Sequence, residues 1–341
     1  MIDLDSKLGD VKAAYDAPEP TGMTMNDPGA RLRLSHSTLE LLHSCERKLQ
    51  KIKLLHNPYA KEDTPATVFG KAYGAAAQLY MILRTMGETS AVALESAIWE
   101  AFIKYTPFLE DEQRFLERLI FCLEAAVPFH EQKLMEWEIA TFNGKFAAEL
   151  SFCLNINEKY YYVGYLDLVL RNRRTKRYAV TDYKTTAMRG EDLTPNYKYS
   201  DQVIGYSIIL DAIAGEQLAD FDTNYWVNQI SGSSKTSLYE PKFHSYTFPK
   251  TLRDRFEWFT KIYLDVNYLQ TLEPLEAYPR RASCKAFNRV CQFFNDCQFT
   301  SSDLPAAYVE DTTDYQFTYE LDDLFQDHQR RLNILMTTAG A

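Results

Sequence analysis

The chain has 341 residues, of which 46% are hydrophobic and 25% are charged, and its formal net charge is -10. This composition excludes a disordered or fibrous chain and is ordinary for a globular protein with a large core. The negative charge argues at first against nucleic-acid binding, because phosphate contacts usually require a basic surface. Three local basic runs nevertheless permit such binding: ERKLQKIK at 46–53, RNRRTKR at 171–177 and YPRRASCK at 278–285.

The first residues, MIDLDSKLGD, contain neither the basic nor the apolar segment of a secretion signal, and no stretch of the sequence has the roughly 18 consecutive apolar residues of a membrane span. We therefore expect a soluble cytoplasmic protein. Six cysteines in such a chain do not indicate the disulfide framework of a small secreted protein. Clustering among them points instead to metal or redox chemistry.

The N-terminal half is predicted to be mainly helical. Residues 1–34 are weakly periodic and interrupted by Pro and Gly, which predicts an extension before the folded part. From residue 35 the apolar residues recur every three or four positions, and Ser37 is a candidate cap for the first helix. Similar periodicity predicts helices at 68–86, near 90–105 and at about 111–138.

The central part changes to a strand pattern. KFAAELSFCLNI, YYYVGYLDLVLR and RYAVTDYKT are rich in aromatic and β-branched residues and are separated by turn-like segments, which predicts three successive strands. A helix at 200–214, two strands in FDTNYWVNQI and KFHSYTF, and a helix near 249–271 follow. This order predicts an α/β or mixed α+β fold with a central mixed β-sheet flanked by helices. We assign 35–300 to one domain and 301–341 to a C-terminal extension with one amphipathic helix, YELDDLFQDHQRRLNILM.

Two aspartates interrupt the apolar residues of neighbouring predicted strands. Asp167 lies on the first of them, and Asp182 and Lys184 share one face of the second, because alternate residues of a strand point the same way. A buried carboxylate requires a partner, and two carboxylates with a backbone carbonyl suit Mg²⁺ or Mn²⁺. A neighbouring lysine would stabilise charge on a phosphate under attack. The alternative is an ordinary ion pair between Asp182 and Lys184.

The order of several motifs resembles the PD-(D/E)XK nuclease superfamily, in particular RecB-type exonucleases and CRISPR adaptation nucleases. The resemblance covers roughly 35–300 and rests on LSHSTLELLHSCERKL, GYLD, DYK and QVIGY, which is similar to the family's Q-x-x-x-Y. It implies that Asp167, Asp182 and the Tyr183 carbonyl bind a divalent metal and that Lys184 acts on the attacking water. It also implies that Gln202 and Tyr206, one helical turn apart, line the active site or hold DNA.

Two further positions lie outside these motifs or depart from them. Glu149 lies on the strand before the hairpin, where such nucleases often carry a glutamate near the metal, and it is either a metal-site residue or a solvated one. The family's usual histidine position aligns with Gly74, so a nitrogen ligand is missing. Gln78, one turn later, either reaches the site in its place or is a helix-surface residue. We adopt the second interpretation. GKAYGAAAQ resembles phage-encoded members.

Four cysteines form a pattern of one upstream and three downstream of the predicted nuclease core: Cys45, Cys284, Cys291 and Cys297. This layout resembles the branch of RecB-type nucleases that carries a [4Fe–4S] cluster, although the first downstream gap is wider than usual. Iron–sulfur is the favoured assignment, with zinc or buried thiols as alternatives. Cys122 and Cys153 lie within apolar runs and are predicted to be core residues.

The resemblance implies a metal-dependent DNA exonuclease of recombination, repair or end processing. Its expected substrates are single strands or duplex ends, and the basic residues of 171–177 are candidates for contacts with the backbone. A helicase or a single-strand annealing protein is an expected partner, and a phage-encoded member would act in the bacterial cytoplasm. The alternative is a non-catalytic DNA-binding or assembly module on a degenerate nuclease scaffold, which Gly74 in place of histidine would favour.

Overall fold

A computed structural model describes residues 32–54, 64–106, 109–188, 193–230, 241–275, 277–282, 284–286, 289–294, 297 and 319–321. The chain separates into two compact units. The first comprises 1–61, 151–164 and 256–341, and the second comprises 62–150 and 165–255. Among the described residues, no helix has both the length and the apolar character needed to cross a bilayer.

In the described residues, the helices predicted between 35 and 271 and the five predicted strands are present, together with short strands that the sequence did not predict. The helices are α1 (His36–Ser44), α2 (Glu46–Leu49, continued by a π turn to Leu54), α3 (Pro65–Thr85), α4 (Ser90–Lys104), α5 (Leu116–Glu136), α6 (Thr194–Lys198), α7 (Asp201–Tyr206), α8 (Leu210–Ala214) and α9 (Leu252–Leu272). The strands are β1 (Leu32–Leu34), β2 (Trp137–Ile139), β3 (Thr141–Phe142), β4 (Lys145–Phe146), β5 (Ala148–Asn155), β6 (Tyr160–Asn172), β7 (Tyr178–Thr186), β8 (Asp220–Gln229), β9 (Lys242–Thr251), β10 (Lys285–Ala286), β11 (Arg289–Val290) and β12 (Tyr319–Leu321).

The predicted fold class is confirmed: the structure is α/β, with a mixed sheet flanked by helices. Two local predictions were wrong. The cap of α1 is Ser35, whose side chain accepts from the Thr38 backbone N–H, and Ser37 lies inside the helix. Residues Tyr319–Leu321, predicted as the start of a helix, form a strand because parallel pairing with β5 satisfies their backbone. The rest of that predicted helix lies outside the described residues.

The first unit is built around the turn between β5 and β6. In this unit β1 pairs in parallel with the start of β6, Leu32 opposite Tyr160, and β12 pairs in parallel with β5. The helices α1 and α2 contact the C-terminal segment through polar bonds. His43 Nε2 lies 2.8 Å from Oδ1 of Asp265, and the buried Glu46 accepts from Arg281 and from Tyr268. The two predicted core cysteines, Cys122 in the second unit and Cys153 in the first, are confirmed as buried.

The second unit has a mixed sheet in the order β6, β7, β8, β9, with β2 beside β6. The β6–β7 and β8–β9 pairs are antiparallel, whereas β7 and β8 run parallel. The helices α3, α4 and α5 pack together, and α3 contacts β7. Because alternate residues of β7 point to opposite faces, Tyr183 packs toward these helices, and its ring contacts Tyr73 of α3 and His130 of α5.

His130 is buried in an aromatic cluster in the core of the second unit. Its ring stacks on Tyr183 with centroids 5.9 Å apart and makes edge contacts with Tyr80, Phe129 and Trp226. Within the described residues its Nδ1 has no hydrogen-bond partner. Burial disfavours the charged imidazolium and lowers the pKa of His130 to about 4.

We expect this histidine to make the stability of the protein depend on pH. The unfolded histidine takes up a proton below about pH 6.5, whereas the folded one does so only near pH 4, so the free energy of unfolding falls as pH drops through this window. The loss is on the order of 3 kcal/mol at the acidic end. Urea denaturation of wild type and His130→Phe at pH 7, 6, 5 and 4 would measure it. A wild-type slope that persists in the variant would contradict the assignment.

Candidate active site

The hairpin of β6 and β7 brings Asp167 next to the segment that carries Asp182. The register places Leu168 opposite Thr181, so Asp167 lies beside the following residues of β7. Its Oδ2 accepts a hydrogen bond of 2.8 Å from the backbone N–H of Tyr183. The carboxylate is thereby fixed against the peptide between Asp182 and Tyr183.

The Lys184 side chain lies between the carboxylate of Asp182, on the same face of β7, and the amide of Gln202 on α7. Its Nζ is 2.8 Å from Oδ2 of the buried Asp182 and donates to Oε1 of Gln202 at 3.0 Å. The amide nitrogen of Gln202 in turn donates to the hydroxyl of Tyr206 at 3.2 Å, across one turn of α7. One continuous polar chain therefore joins four of the side chains that the motifs single out.

The site contains carboxyl groups that lie close together and one lysine ammonium beside them. Burial and the neighbouring charges of Asp182 and Glu149 raise the pKa of Asp167 well above its usual value. Burial disfavours the charged form of Lys184, but the carboxylates of Asp182 and Asp167 outweigh it, and the pKa of Lys184 is raised. Without a metal, the lysine is therefore an ammonium that donates hydrogen bonds.

Glu149 lies next to these carboxylates, and Gln78 contacts Glu149. Burial raises the pKa of the Glu149 carboxyl to about 7, and a hydrogen bond with the Gln78 side chain opposes that rise. The prediction that Gln78 is a helix-surface residue was wrong, since only 1% of it is exposed, and its Oε1 has no hydrogen-bond partner within the described residues. Glu149 has a positive φ of 49°, a conformation that costs a non-glycine residue on the order of 1 kcal/mol.

Gly74, the position of the missing histidine, lies against the strand that carries the site. A Cβ added there would be 3.7 Å from the Cβ of Tyr183, which is an ordinary contact distance. The first atom of a side chain at this position would therefore not clash with Tyr183. Gln78 lies one helical turn further along α3, and its side chain is hydrogen-bonded to the carboxyl of Glu149.

The donor set suits a hard divalent cation. Two aspartates, a backbone carbonyl and a nearby glutamate are oxygen donors. Burial and then the charges of Asp182 and Glu149 raise the pKa of Asp167, and a cation would relieve the repulsion among these carboxylates. Across the described ranges, no group of three or more His, Cys, Asp or Glu side chains is arranged around a common metal position. A site with two carboxylate ligands completed by a carbonyl and water does not need such a group.

The basic run at 171–177 is less available for phosphate than its sequence suggested. Arg171 and Arg173 lie 3.8 and 3.4 Å from the carboxylate oxygens of Glu138. Arg177 donates to Asp222 at 2.8 Å. Three of the five basic side chains in this run are therefore paired with acids of the same unit.

The four cysteines of the predicted cluster line one cavity of the first unit. Cys45 comes from the end of α1, and Cys284, Cys291 and Cys297 from the segment around β10 and β11. The cavity is also lined by cationic side chains, Arg47, Lys48, Lys51 and Arg281. The backbone carbonyl of Cys297 accepts from Arg47 at 3.1 Å, which ties the downstream cysteine segment to α2.

A comparison with known protein families identifies the family of this chain. The sequence model of the PD-(D/E)XK nuclease superfamily matches residues 33–298, which span the whole site and all four clustered cysteines. The chain belongs to the PD-(D/E)XK nuclease superfamily. Members of this superfamily generally use divalent metals such as Mg²⁺.

Other comparisons add little to this family assignment. No curated protein matches the nuclease. One solved structure that resembles it is from Eubacterium rectale and carries the name "Putative exonuclease". The two chains are 12% identical, the match covers 75% of the present chain and 87% of the other, and the TM-score is 0.46. A likeness this distant carries no conclusion about the nuclease described here.

The sequence analysis did not predict that aromatic residues of β8 and β9 lie on the same face of the sheet as Asp182. Tyr225 of β8 lies directly opposite Asp182 in the parallel register, and Tyr246 of β9 lies opposite Tyr225. The alternating aromatic residues of KFHSYTF were the available signal. Strand alternation alone, however, does not show that β9 lies two strands away from Asp182 and Lys184.

Proposed function

We propose that the protein is a metal-dependent deoxyribonuclease that hydrolyses phosphodiester bonds from DNA ends. The observation that supports this most is the arrangement of Asp167, Asp182 and Lys184 on one hairpin, with Lys184 held as an ammonium between Asp182 and Gln202. Retention of the complete polar chain to Tyr206 argues against a degenerate scaffold, since a decayed site would have no reason to keep it.

Asp167, Asp182 and the carbonyl of Tyr183 would hold the cation, with Glu149 close by. A divalent metal such as Mg²⁺ supplies Lewis-acid polarisation of the scissile phosphate when it is bound. The chain's own residues position the remaining groups. The Lys184 ammonium donates to the attacking water or to a phosphate oxygen and stabilises the charge that develops there. Gln202 restrains the ammonium, and Gln78 restrains Glu149 through its amide.

The test is degradation of end-labelled linear DNA with Mg²⁺ or Mn²⁺. Single- and double-stranded linear molecules are incubated with the protein, and a closed circle serves as the control. Loss of the linear DNA with the circle spared is the expected result for an exonuclease. Absence of cleavage with either metal, together with retained DNA binding, would instead identify the non-catalytic binding module.

We also propose that the four cysteines hold a [4Fe–4S] cluster with a structural role. Support comes from their shared cavity, which Cys45 lines together with three cysteines more than 230 positions later in the sequence, and from four cationic side chains that would offset the charge of thiolates. In the described residues the four thiols are not grouped around one metal position, so binding would have to draw them together. Soft sulfur donors suit iron–sulfur chemistry or zinc. By joining α1 to the C-terminal segment, the metal would close a long loop whose ordering is entropically costly.

Cys45→Ser is expected to remove most of the bound metal. Wild-type protein purified without oxygen should be brown, with broad visible absorbance and stoichiometric iron and sulfide, and the variant should lose this absorbance and melt at a lower temperature. Cys153→Ala is the matched control, because this buried cysteine lies in the same unit outside the cavity. A colourless wild type with stoichiometric zinc would replace iron by zinc, and a metal-free wild type would contradict the proposal.

DNA recombination, repair or end processing is the proposed context. A helicase or a single-strand annealing protein would supply the ends on which such an enzyme works, and both stay predictions from the family resemblance. The cytoplasmic location and the phage origin are proposals on the same basis.

A further inference from the structure

A row of aromatic rings lies along β9, two strands from the catalytic pair. It consists of His244, Tyr246 and Phe248, which alternate along the strand and so share one face; we call it the β9 ring row. Neighbouring rings are nearly parallel. The centroids of His244 and Tyr246 are 6.0 Å apart with 20° between the planes, and those of Tyr246 and Phe248 are 6.5 Å apart with 6°.

The register of the sheet connects this row to the active site. Asp182 of β7 lies opposite Tyr225 of β8, and Tyr225 lies opposite Tyr246 of β9. In the same way Lys184 aligns with Val227, and Val227 with His244. All these side chains therefore stand on one face of the sheet, and with strands about 4.8 Å apart the row lies roughly 10 Å from the catalytic pair.

Other rings pack beside the row and leave it partly exposed. Tyr197 of α6 stacks on Tyr225 with centroids 4.7 Å apart, and it also contacts Tyr246 at 5.8 Å. The rings of the row are half-buried, and the neighbouring Tyr199 is 74% exposed. In the described residues of this unit, β9 is the last strand of the sheet order, so no further strand covers its outer side.

The charge beside the row is positive. Lys242, which precedes the row on β9, is exposed and contributes, together with burial, to the lowered pKa of His244. Lys198 is exposed, and its ammonium lies 5.3 Å from the ring centroid of Tyr199. The ammonium of Lys250, 5.7 Å from the same ring, is buried and donates to the Lys198 carbonyl, so it is not offered to a phosphate. Aromatic faces interleaved with lysines are the combination that binds single-stranded nucleic acid, because bases stack on the rings while phosphates pair with the cations.

We propose that the β9 ring row is a base-stacking subsite for single-stranded DNA, which holds the nucleotides next to the phosphate at Asp182 and Lys184. This inference rests on the proposed nuclease function and adds its substrate form. The aromatic faces bind each base without reading its identity, so the subsite selects unpaired DNA over duplex whose bases are stacked on one another. A duplex end would have to be opened by several nucleotides before its terminal phosphodiester reached the metal site.

The test combines removal of a ring with removal of the bases. Binding of a labelled dT oligomer, and of an oligomer of the same length built of abasic sites, is measured by fluorescence anisotropy in Mg²⁺. All proteins carry Lys184→Ala so that the DNA is not consumed. Tyr246→Leu should weaken binding of the dT oligomer roughly tenfold and leave binding of the abasic oligomer unchanged. Trp99→Leu, which removes a 62% exposed ring on α4, is the control and should change neither.

Two additional measurements make the result decisive. Tyr246→Trp keeps a stacking face and should restore binding of the dT oligomer, which separates stacking from a fold defect in Tyr246→Leu. Equal binding of dT and abasic oligomers by the background protein, or equal losses for both in Tyr246→Leu, would overturn the subsite. A dimer in solution that depends on Tyr246 would also overturn it, because the strand would then pair with a second copy.

The outcome also separates this inference from the proposed function. Base-dependent binding without hydrolysis by the wild-type protein would contradict the nuclease alone. Hydrolysis of linear DNA with no effect of Tyr246→Leu on binding or KM would contradict the subsite alone.

Discussion

Lys184→Ala is expected to lower the rate of DNA hydrolysis by at least about a hundredfold while DNA binding persists. The ammonium makes its contacts with Asp182 and Gln202 in the protein without substrate, so it is already placed where charge develops. Loss of one such preorganised donor typically costs two to three orders of magnitude in rate. A role in the transition state alone would lower kcat and kcat/KM together.

Single-turnover hydrolysis of labelled linear DNA by wild type and Lys184→Ala measures this effect. Lys145→Ala is the matched control, since this lysine is exposed on β4 and lies outside the basic runs. Lys184→Arg keeps the charge but has a planar guanidinium in place of the compact ammonium, and it should recover only part of the rate. Undiminished hydrolysis by Lys184→Ala would remove the lysine from the mechanism and reopen the assignment of the site.

Asp167→Asn is expected to abolish hydrolysis and to remove the stabilisation that Mn²⁺ gives the wild-type protein. Without metal, the wild-type carboxylate is buried beside Asp182 and Glu149, which raises its pKa and makes its ionisation unfavourable. An asparagine keeps an oxygen that accepts from the Tyr183 N–H and loses the repulsion. The variant should therefore fold at least as stably as wild type in the absence of metal.

Thermal unfolding with and without Mn²⁺ distinguishes these effects. A cation at a hundred times its dissociation constant stabilises the native state by about 2.7 kcal/mol, which is a shift of several degrees in a protein of this size. The expected shift is present in wild type and in the control Asp220→Asn, whose carboxylate is exposed, and absent in Asp167→Asn. An equal Mn²⁺ shift in Asp167→Asn would show that the cation is held elsewhere.

The sequence was sufficient to predict the elements that position the site. The aromatic and β-branched runs predicted β5, β6 and β7, and strand alternation placed Asp182 and Lys184 on one face. The four-residue spacing of Gln202 and Tyr206 predicted that they share a helix face, and the structure joins them by a hydrogen bond. These features depend on short-range periodicity, which a single sequence shows directly.

Features that depend on packing between distant segments were not predictable in the same way. Gln78 looked like a surface residue because glutamine is usually exposed, yet the carboxylate of Glu149 provides it with a buried partner. The β9 ring row has a visible alternation, but its distance from Asp182 depends on the strand order β7, β8, β9. Ion pairing of the 171–177 arginines with Glu138 and Asp222 likewise depends on which strands become neighbours.

Tyr183 restrains β7 from both of its sides. Its backbone N–H is bonded to Asp167, and its ring is enclosed by Tyr73, His130 and Trp226. Asp182 and Lys184 therefore cannot shift along or out of the sheet without repacking several rings. The entropy of orienting these two groups has already been lost during folding, so substrate binding does not have to supply it. In the proposed reaction, a rigid strand of this kind would leave the adjustments to the DNA and the cation.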